Sequence, residues 1–130
     1  MIPASHADLL GRPLAAVLST VQPDGRPQAS VVWFDATDAV VRINSERGRA
    51  KVRNVERDPR VTIVIVDPSD QHRYIEIRGD VVSIAEAGAL EHRAALDCRY
   101  LGPDHRSDPT VDKGARVIIT IAPVQVHAYG

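Results

Sequence analysis

Short apolar segments rich in Val, Ile and Thr, joined mostly by brief turns, constrain the fold of this chain most strongly. Such runs, bounded by Gly, Pro and Asp, favour β-strands. Residues 23–27 contain an Asp-Gly pair that accepts the positive φ of a tight hairpin, and residues 35–38 form a second turn. We expect strands over residues 14–21, 28–34, 39–44, 61–66, 72–84 and 116–128.

Three segments have helical patterns: residues 5–10, 48–57 and 85–100. The first is expected to begin at Ser5 as its cap. The second ends before Pro59, because the residue before a proline disfavours the α region. We expect the inward-facing residues of the three helices to be Leu9, Leu10, Val52, Val55, Leu90, Ala94 and Leu96.

The order of these elements predicts a mainly β protein, a six-stranded antiparallel barrel with helices packed outside it. A βαβ rhythm and a Gly-rich dinucleotide loop are both absent from the sequence, which argues against a doubly wound sheet. Gly79 lies inside a predicted strand, where glycine often marks a bulge or a close backbone approach. Pro123 likewise indicates a bulge or an edge strand.

The bulk composition fits one domain over residues 1–130. A net charge of −1 argues against a nucleic-acid partner, which would require a basic face. The sequence shows neither a secretory signal nor an apolar run of the roughly 20 residues that span a bilayer. Cys98 is the only cysteine, so we expect a cytoplasmic protein without disulfides, and the histidines show no metal-ligand spacing.

The segment 44–54 carries four cations and two asparagines, and it joins a predicted strand to a predicted helix. Backbone N–H groups and the dipole at a helix start favour an anion, and Arg and Lys add charge-assisted hydrogen bonds. Arg49 and Lys51 are therefore candidate phosphate contacts, although such a charge run is also typical of a solvated helix face. Asn44 and Ser45 are candidates both for capping this helix and for contacting the ligand.

Four motifs occur in a characteristic order along the chain: Pro-Asp-Gly-Arg-Pro-Gln at 23–28, Arg-Ala-Lys-Val-Arg-Asn at 49–54, Arg-Asp-Pro-Arg-Val at 57–61 and Tyr-Ile-Glu-Ile-Arg-Gly at 74–79. Together they resemble the flavin/deazaflavin split-barrel oxidoreductases, the superfamily of pyridoxamine 5′-phosphate oxidase. The second motif is most similar to the branch that binds coenzyme F420, a deazaflavin with a phosphate and a polyglutamate tail. The resemblance implies a split β-barrel of the FMN-binding type. It also implies a homodimer with both cofactor sites at the subunit interface.

The resemblance also implies roles for particular residues. Arg49, Lys51 and Asn54 match the contacts to the cofactor phosphate and tail. Tyr74 falls where the partner chain is expected to contact the ring system. The positions that match the lining of the ring and ribityl chain are Gln28, Ser30, Val31, Val32, Asn44 and Ser45.

The implied activity is hydride transfer from reduced coenzyme F420 to a small conjugated or quinone-like substrate. An FMN-dependent oxidoreductase and a non-catalytic F420-binding carrier are the alternatives. True pyridoxamine 5′-phosphate oxidases carry Trp and Arg residues near their C-terminus, whereas the only tryptophan here is Trp33, which favours the deazaflavin. The sequence shows no nucleophile. His72 and Tyr74 are the candidate catalytic residues, and His72 could donate a proton to the reduced substrate.

Overall fold

The computed structural model describes residues 1–37 and 39–130, so the last position of the predicted turn at 35–38 lies outside the described residues. The strands are β1 (Ala16–Val21), β2 (Pro27–Val32), β3 (Asp35–Ala36), β4 (Val41–Glu46), β5 (Arg60–Asp67), β6 (Asp70–Ala85) and β7 (Arg116–Tyr129). The helices are α1 (Ala7–Gly11), α2 (Ala50–Arg57) and α3 (Ala89–Leu101), with short 3₁₀ turns at Ala4–His6 and Pro109–Val111.

The described strands form a single curled sheet in the order β2-β1-β5-β6-β7-β4-β3, and every neighbouring pair is antiparallel. The prediction of a mainly β, antiparallel split barrel with flanking helices is therefore confirmed. The described residues contain seven strands rather than six, because Asp35 and Ala36, predicted as the start of a turn, instead form a short strand that pairs with β4. A strand of two residues is too short to leave an alternating pattern in the sequence.

Two predicted helix starts are wrong. β6 continues to Ala85, which pairs with Ile118 of β7, so α3 begins only at Ala89. Within α3, Leu90, predicted to face inward, is 54% exposed, while Leu96 is buried as predicted. Ser5 does not cap α1: the capping position is His6, and the Ser5 hydroxyl hydrogen-bonds to the imidazole of His6.

The core lies on the concave side of the sheet, and alternate residues of each strand enter it. β5, β6 and β7 each contribute a pair of isoleucines, and Phe34 is fully buried beside them. Leu9 and Leu10 of α1 and Val52 and Val55 of α2 pack against this core, as predicted. No helix among the described residues is long and apolar enough to cross a membrane.

The two long strands, β6 and β7, pair with irregular register. Arg78 pairs with Gln125 and Gly79 with Pro123, so Val124 is an extra residue, and the bulge predicted at Gly79 and Pro123 is confirmed. The predicted close backbone approach is present as well. A Cβ added at Gly79 would lie 2.6 Å from the Ala122 carbonyl oxygen.

Gly79→Ala should lower the free energy of unfolding by about 1–3 kcal/mol, the usual cost of forcing extra volume into a packed site. The clash is with backbone, which cannot move as a flexible side chain can. Gly11→Ala is the matched control, because a Cβ added there would meet nothing within 4 Å among the described residues and the φ of Gly11 is not positive. Urea unfolding of the two variants checks this; equal stability of both would contradict the proposed packing constraint.

Candidate functional site

A cavity of about 320 Å³ opens where the ends of β2 and β4 meet the first turn of α2, one side of α3 and the start of β7. Four cationic side chains and one carboxylate line it, so positive charge is in excess. This arrangement suits an anionic ligand. The lining residues are Val31, Val32, Trp33, Asn44, Ser45, Arg49, Lys51, Arg93, Leu96, Asp97 and Arg116.

The structure brings together six of the ten residues that the sequence analysis assigned to the cofactor: Val31, Val32, Asn44, Ser45, Arg49 and Lys51. Arg49 and Lys51 lie beside Asn44 and Ser45 because the chain turns sharply between β4 and α2. β4 ends at Glu46, and Gly48 then takes a φ of +99°, in the left-handed region that favours glycine. The chain therefore turns sharply, and α2 starts beside the end of the strand.

Arg49 and Lys51 differ in their surroundings. Arg49 is largely exposed, and its Nε lies 3.4 Å from a carboxylate oxygen of Glu46. Glu46 in turn accepts hydrogen bonds from the backbone N–H groups of Gly114 and Lys113, which lower its pKa and keep it ionised. Lys51 makes no ion pair with the described residues. Burial, together with the charges of Arg49 and Arg116, lowers the pKa of Lys51.

Arg93 and Arg116 are the cations that the sequence analysis missed. Asp112 binds both: its carboxylate oxygens lie 2.6 Å from Nη1 of Arg93 and 3.5 Å from Nη1 of Arg116. Both arginine side chains are only about one-sixth exposed, and burial lowers the pKa of Arg116. No local motif marks either residue, because one lies inside an alanine-rich helix and the other at the start of a strand.

Asn44 and Ser45 lie inside β4 and do not cap α2, so the predicted capping role is wrong. Pairing with β7 continues past both residues to Glu46, and this keeps them in extended conformation. The capping position of α2 is Arg49, which makes no side-chain cap hydrogen bond. Ser45 is buried, and the Asn44 amide is engaged by groups of this chain, including Arg116.

Asn54 and Gln28 lie apart from the cavity lining. The amide nitrogen of Asn54 donates to the Thr20 hydroxyl at 2.9 Å, and that hydroxyl donates to the Gln28 carbonyl oxygen at 2.7 Å. Asn54 is 4% exposed, so its side chain ties α2 to β1 and does not face the cavity. Ser30 is also absent from the lining, and its buried hydroxyl has no hydrogen-bond partner among the described residues.

His72 and Tyr74 lie near the start of β6, at the opposite end of β7 from Arg116. Tyr74 pairs with Tyr129 and stacks on its ring at 4.5 Å, and His72 is exposed. The cavity of one chain therefore contains neither residue. That Tyr74 contacts a ligand from the partner chain stays a prediction.

Trp33 forms an aromatic wall at the cavity. One face of its indole stacks on Tyr100, with ring centroids 4.6 Å apart and planes 4° from parallel. The Tyr100 hydroxyl is fixed by donating to the Leu14 carbonyl oxygen at 2.7 Å. Trp33 is still 37% exposed, so part of the ring remains available to a ligand. Within the described ranges, no group of three His, Cys, Asp or Glu side chains is placed to hold a metal ion.

Comparison with known proteins places the chain among split-barrel proteins. A sequence profile described as pyridoxamine 5′-phosphate oxidase matches residues 2–130. A solved structure named F420 reductase is 36% identical, with a TM-score of 0.88 over 97% of this chain and 98% of that one.

Two further structures are similar over nearly the whole chain. A conserved hypothetical protein from Mycobacterium tuberculosis is 28% identical, with a TM-score of 0.78 over 99% of this chain and 84% of the other. General Stress Protein 26 from Bacillus anthracis is 26% identical, with a TM-score of 0.69 over 95% and 89%.

Lys51→Met should raise the midpoint of thermal unfolding of the ligand-free protein by roughly 2 °C, since the change removes a partly desolvated charge beside two other cations. Raising the salt concentration should stabilise the wild type more than the variant, because salt screens the repulsion. Lys113→Met is the control, as Lys113 is exposed and outside this cavity. A lower midpoint for Lys51→Met would contradict this account of the charges.

Proposed function

This chain belongs to the pyridoxamine 5′-phosphate oxidase family, and we propose that it is an oxidoreductase that uses reduced coenzyme F420 to reduce a small conjugated or quinone-like compound. The likeness to a structure named F420 reductase supports an oxidoreductase of the flavin and deazaflavin type. The observation that carries the proposal is the cationic cavity, above all Lys51, which is partly buried, lies near two other cations and has no ion-pair partner among the described residues.

The donor set fits the phosphate and tail of the proposed cofactor. Lys51 and Arg49 would bind the phosphate, Lys51 as a point charge and Arg49 through its planar guanidinium. Arg93 and Arg116 would bind further carboxylates of the tail, in competition with Asp112. Several anionic groups on one ligand match several cations in one cavity, and this matching gives both affinity and orientation.

The protein would bind, orient and shield the cofactor, which supplies hydride transfer when bound. Anchoring the anionic end in the cavity fixes the remainder of the ligand relative to the protein, as the short reach of hydride transfer requires. Trp33, clamped against Tyr100, offers a rigid flat surface beside that anchor. In this proposal the cationic lining side chains bind and orient the anionic end of the cofactor.

We also propose that the protein acts as a homodimer. The cavity is at the small end of the roughly 300–1,000 Å³ range typical of ligand sites, so one chain would enclose only part of a large cofactor. Val17 pairs with both Val31 and Val64 across the outer face of the sheet, and Val31 is 71% exposed. Val31 also lines the cavity, so a second copy covering this apolar row would border the ligand. The partner's Tyr74 is the proposed contact to the ring.

The sequence contains a single cysteine, which suits a reducing compartment, so we propose the cytoplasm as the location of the protein.

Lys51→Met should weaken the binding of coenzyme F420 at least tenfold, about 1.4 kcal/mol, because it removes a partly buried cation from the cavity. Titration followed by the fluorescence of Trp33, the only tryptophan, measures the affinity directly. Lys113→Met, a change at the only other lysine, should bind as the wild type does. Unchanged affinity for Lys51→Met would remove the anchor assignment, and tighter binding of FMN than of F420 would favour the FMN-dependent alternative.

Purified protein at catalytic concentration should oxidise reduced coenzyme F420 when a conjugated enone or a quinone is supplied, as followed by the return of the oxidised deazaflavin absorbance. The Lys51→Met variant should need a higher cofactor concentration and reach a similar maximal rate, because the anchor is remote from the reacting carbon. Tight binding without turnover of any enone, quinone or nitro compound would instead support a cofactor carrier.

A further inference from the structure

We propose that Asn44 is a positioning residue that aims Arg116 into the cationic cavity and so sets the affinity for the anionic end of the ligand. The inference rests on the proposed function of this cavity as an anion site. It differs from the role expected from the sequence, in which Asn44 contacts the cofactor itself. Here Asn44 acts through Arg116, and direct contact is the competing explanation that the experiment must exclude.

The orientation of the Asn44 amide is fixed by its neighbours. Its nitrogen lies 2.8 Å from the Ala89 carbonyl oxygen, which can only accept a hydrogen bond, so the NH₂ group must face α3. The same nitrogen lies 3.1 Å from Nδ1 of His92. The amide oxygen therefore points the other way, where it accepts a hydrogen bond from Nε of Arg116 at 2.9 Å.

His92 supports this orientation from the interior. It is 5% exposed, and because its Nδ1 accepts from Asn44, the ring proton is on Nε2. Nε2 lies 3.2 Å from a carboxylate oxygen of Asp35, within reach of electrostatic attraction but without hydrogen-bond geometry, and Arg42 binds the same carboxylate through Nε and Nη2. Burial raises the pKa of Asp35, but His92 and Arg42 more than offset this and lower it to about 2. The carboxylate is thus charged, and it favours the tautomer that leaves Nδ1 free for Asn44.

Arg116 is held between two competing acceptors. Nε of Arg116 donates a hydrogen bond to the amide oxygen of Asn44, and Nη1 of Arg116 lies 3.5 Å from a carboxylate oxygen of Asp112. Asp112 also pairs with Nη1 of Arg93 at 2.6 Å. If the Arg116 guanidinium made two close hydrogen bonds to Asp112, the carboxylate would neutralise its charge and occupy its donor groups. The hydrogen bond to Asn44 opposes that pairing. The guanidinium therefore stays in the cavity lining with part of its donor set available.

A double-mutant cycle separates positioning from direct contact. Asn44→Ala and Arg116→Met should each weaken F420 binding about tenfold, the value of one charge-assisted contact. The double variant should bind no more weakly than Arg116→Met alone, since Asn44 then has nothing left to position. Equal weakening by Asn44→Ala in both backgrounds would show direct contact and overturn the proposal, and so would wild-type affinity for Asn44→Ala.

The salt dependence of binding distinguishes positioning from a general loss of stability. The slope of log Kd against log salt falls when a cation no longer meets the ligand anion, so Asn44→Ala should show the slope of Arg116→Met. Thr20→Val is the stability control, because it removes a buried hydroxyl outside the cavity lining. It should keep the wild-type slope. A wild-type slope for Asn44→Ala would contradict the proposal.

Two additions keep the test decisive. If Asn44→Ala does not accumulate as folded protein, Asn44→Ser replaces it, since the shorter hydroxyl cannot span the distance to Arg116. Every titration is repeated with inorganic phosphate, which reports on the cavity even if coenzyme F420 is not the ligand. Failure of the wild type to bind F420 with the cycle still coupled for phosphate would reject the proposed cofactor and retain Asn44 as a positioning residue. Absence of coupling for both probes would reject the positioning role itself.

Discussion

The antiparallel pairing of β4 with the first half of β7 is the contact on which the candidate site depends. It sets Asn44 opposite Ile118 and Glu46 opposite Arg116, residues that are about 70 positions apart in sequence. This register places the Arg116 side chain beside the turn that starts α2, and it brings α3 across the same end of the sheet. Without that pairing, the four cations would belong to three unconnected segments.

The chain has a net charge of −1, yet the cavity is positive because Glu46 and Asp112, the carboxylates that pair with its cations, are not part of the cavity lining. Glu46 lies near Arg49 and accepts hydrogen bonds from the backbone N–H groups of Lys113 and Gly114. Asp112 forms ion pairs with both Arg93 and Arg116. Lys51 has no such partner among the described residues and is partly desolvated. A site of this kind costs stability in the free protein, and the cost is recovered only when an anion binds.

The parts of the structure that follow from local pattern were predictable from sequence. These include six of the seven described strands, the bulge at Gly79 and the position of Lys51 at a helix start. Contacts that depend on the register between distant segments were not predictable from sequence. Arg93 and Arg116, for example, come together only through tertiary pairing. Long-range packing also separates Asn54, for which the family resemblance implies a ligand contact, from the cavity lining. The Asn54 amide is buried and donates a hydrogen bond to Thr20 of β1.

The place of β7 in the chain also has a consequence for biosynthesis. β7 is the last of the described strands in sequence order, and it completes both the sheet between β6 and β4 and the cation set of the cavity. A ribosome-bound chain can form the hairpin of β1 and β2 early, but it cannot assemble the anion site until residue 116 and its successors have emerged. Such long-range pairing slows folding, because loop closure precedes any compensating contact. The ligand can therefore bind only after β7 has paired with β4, and it cannot guide the earlier folding steps.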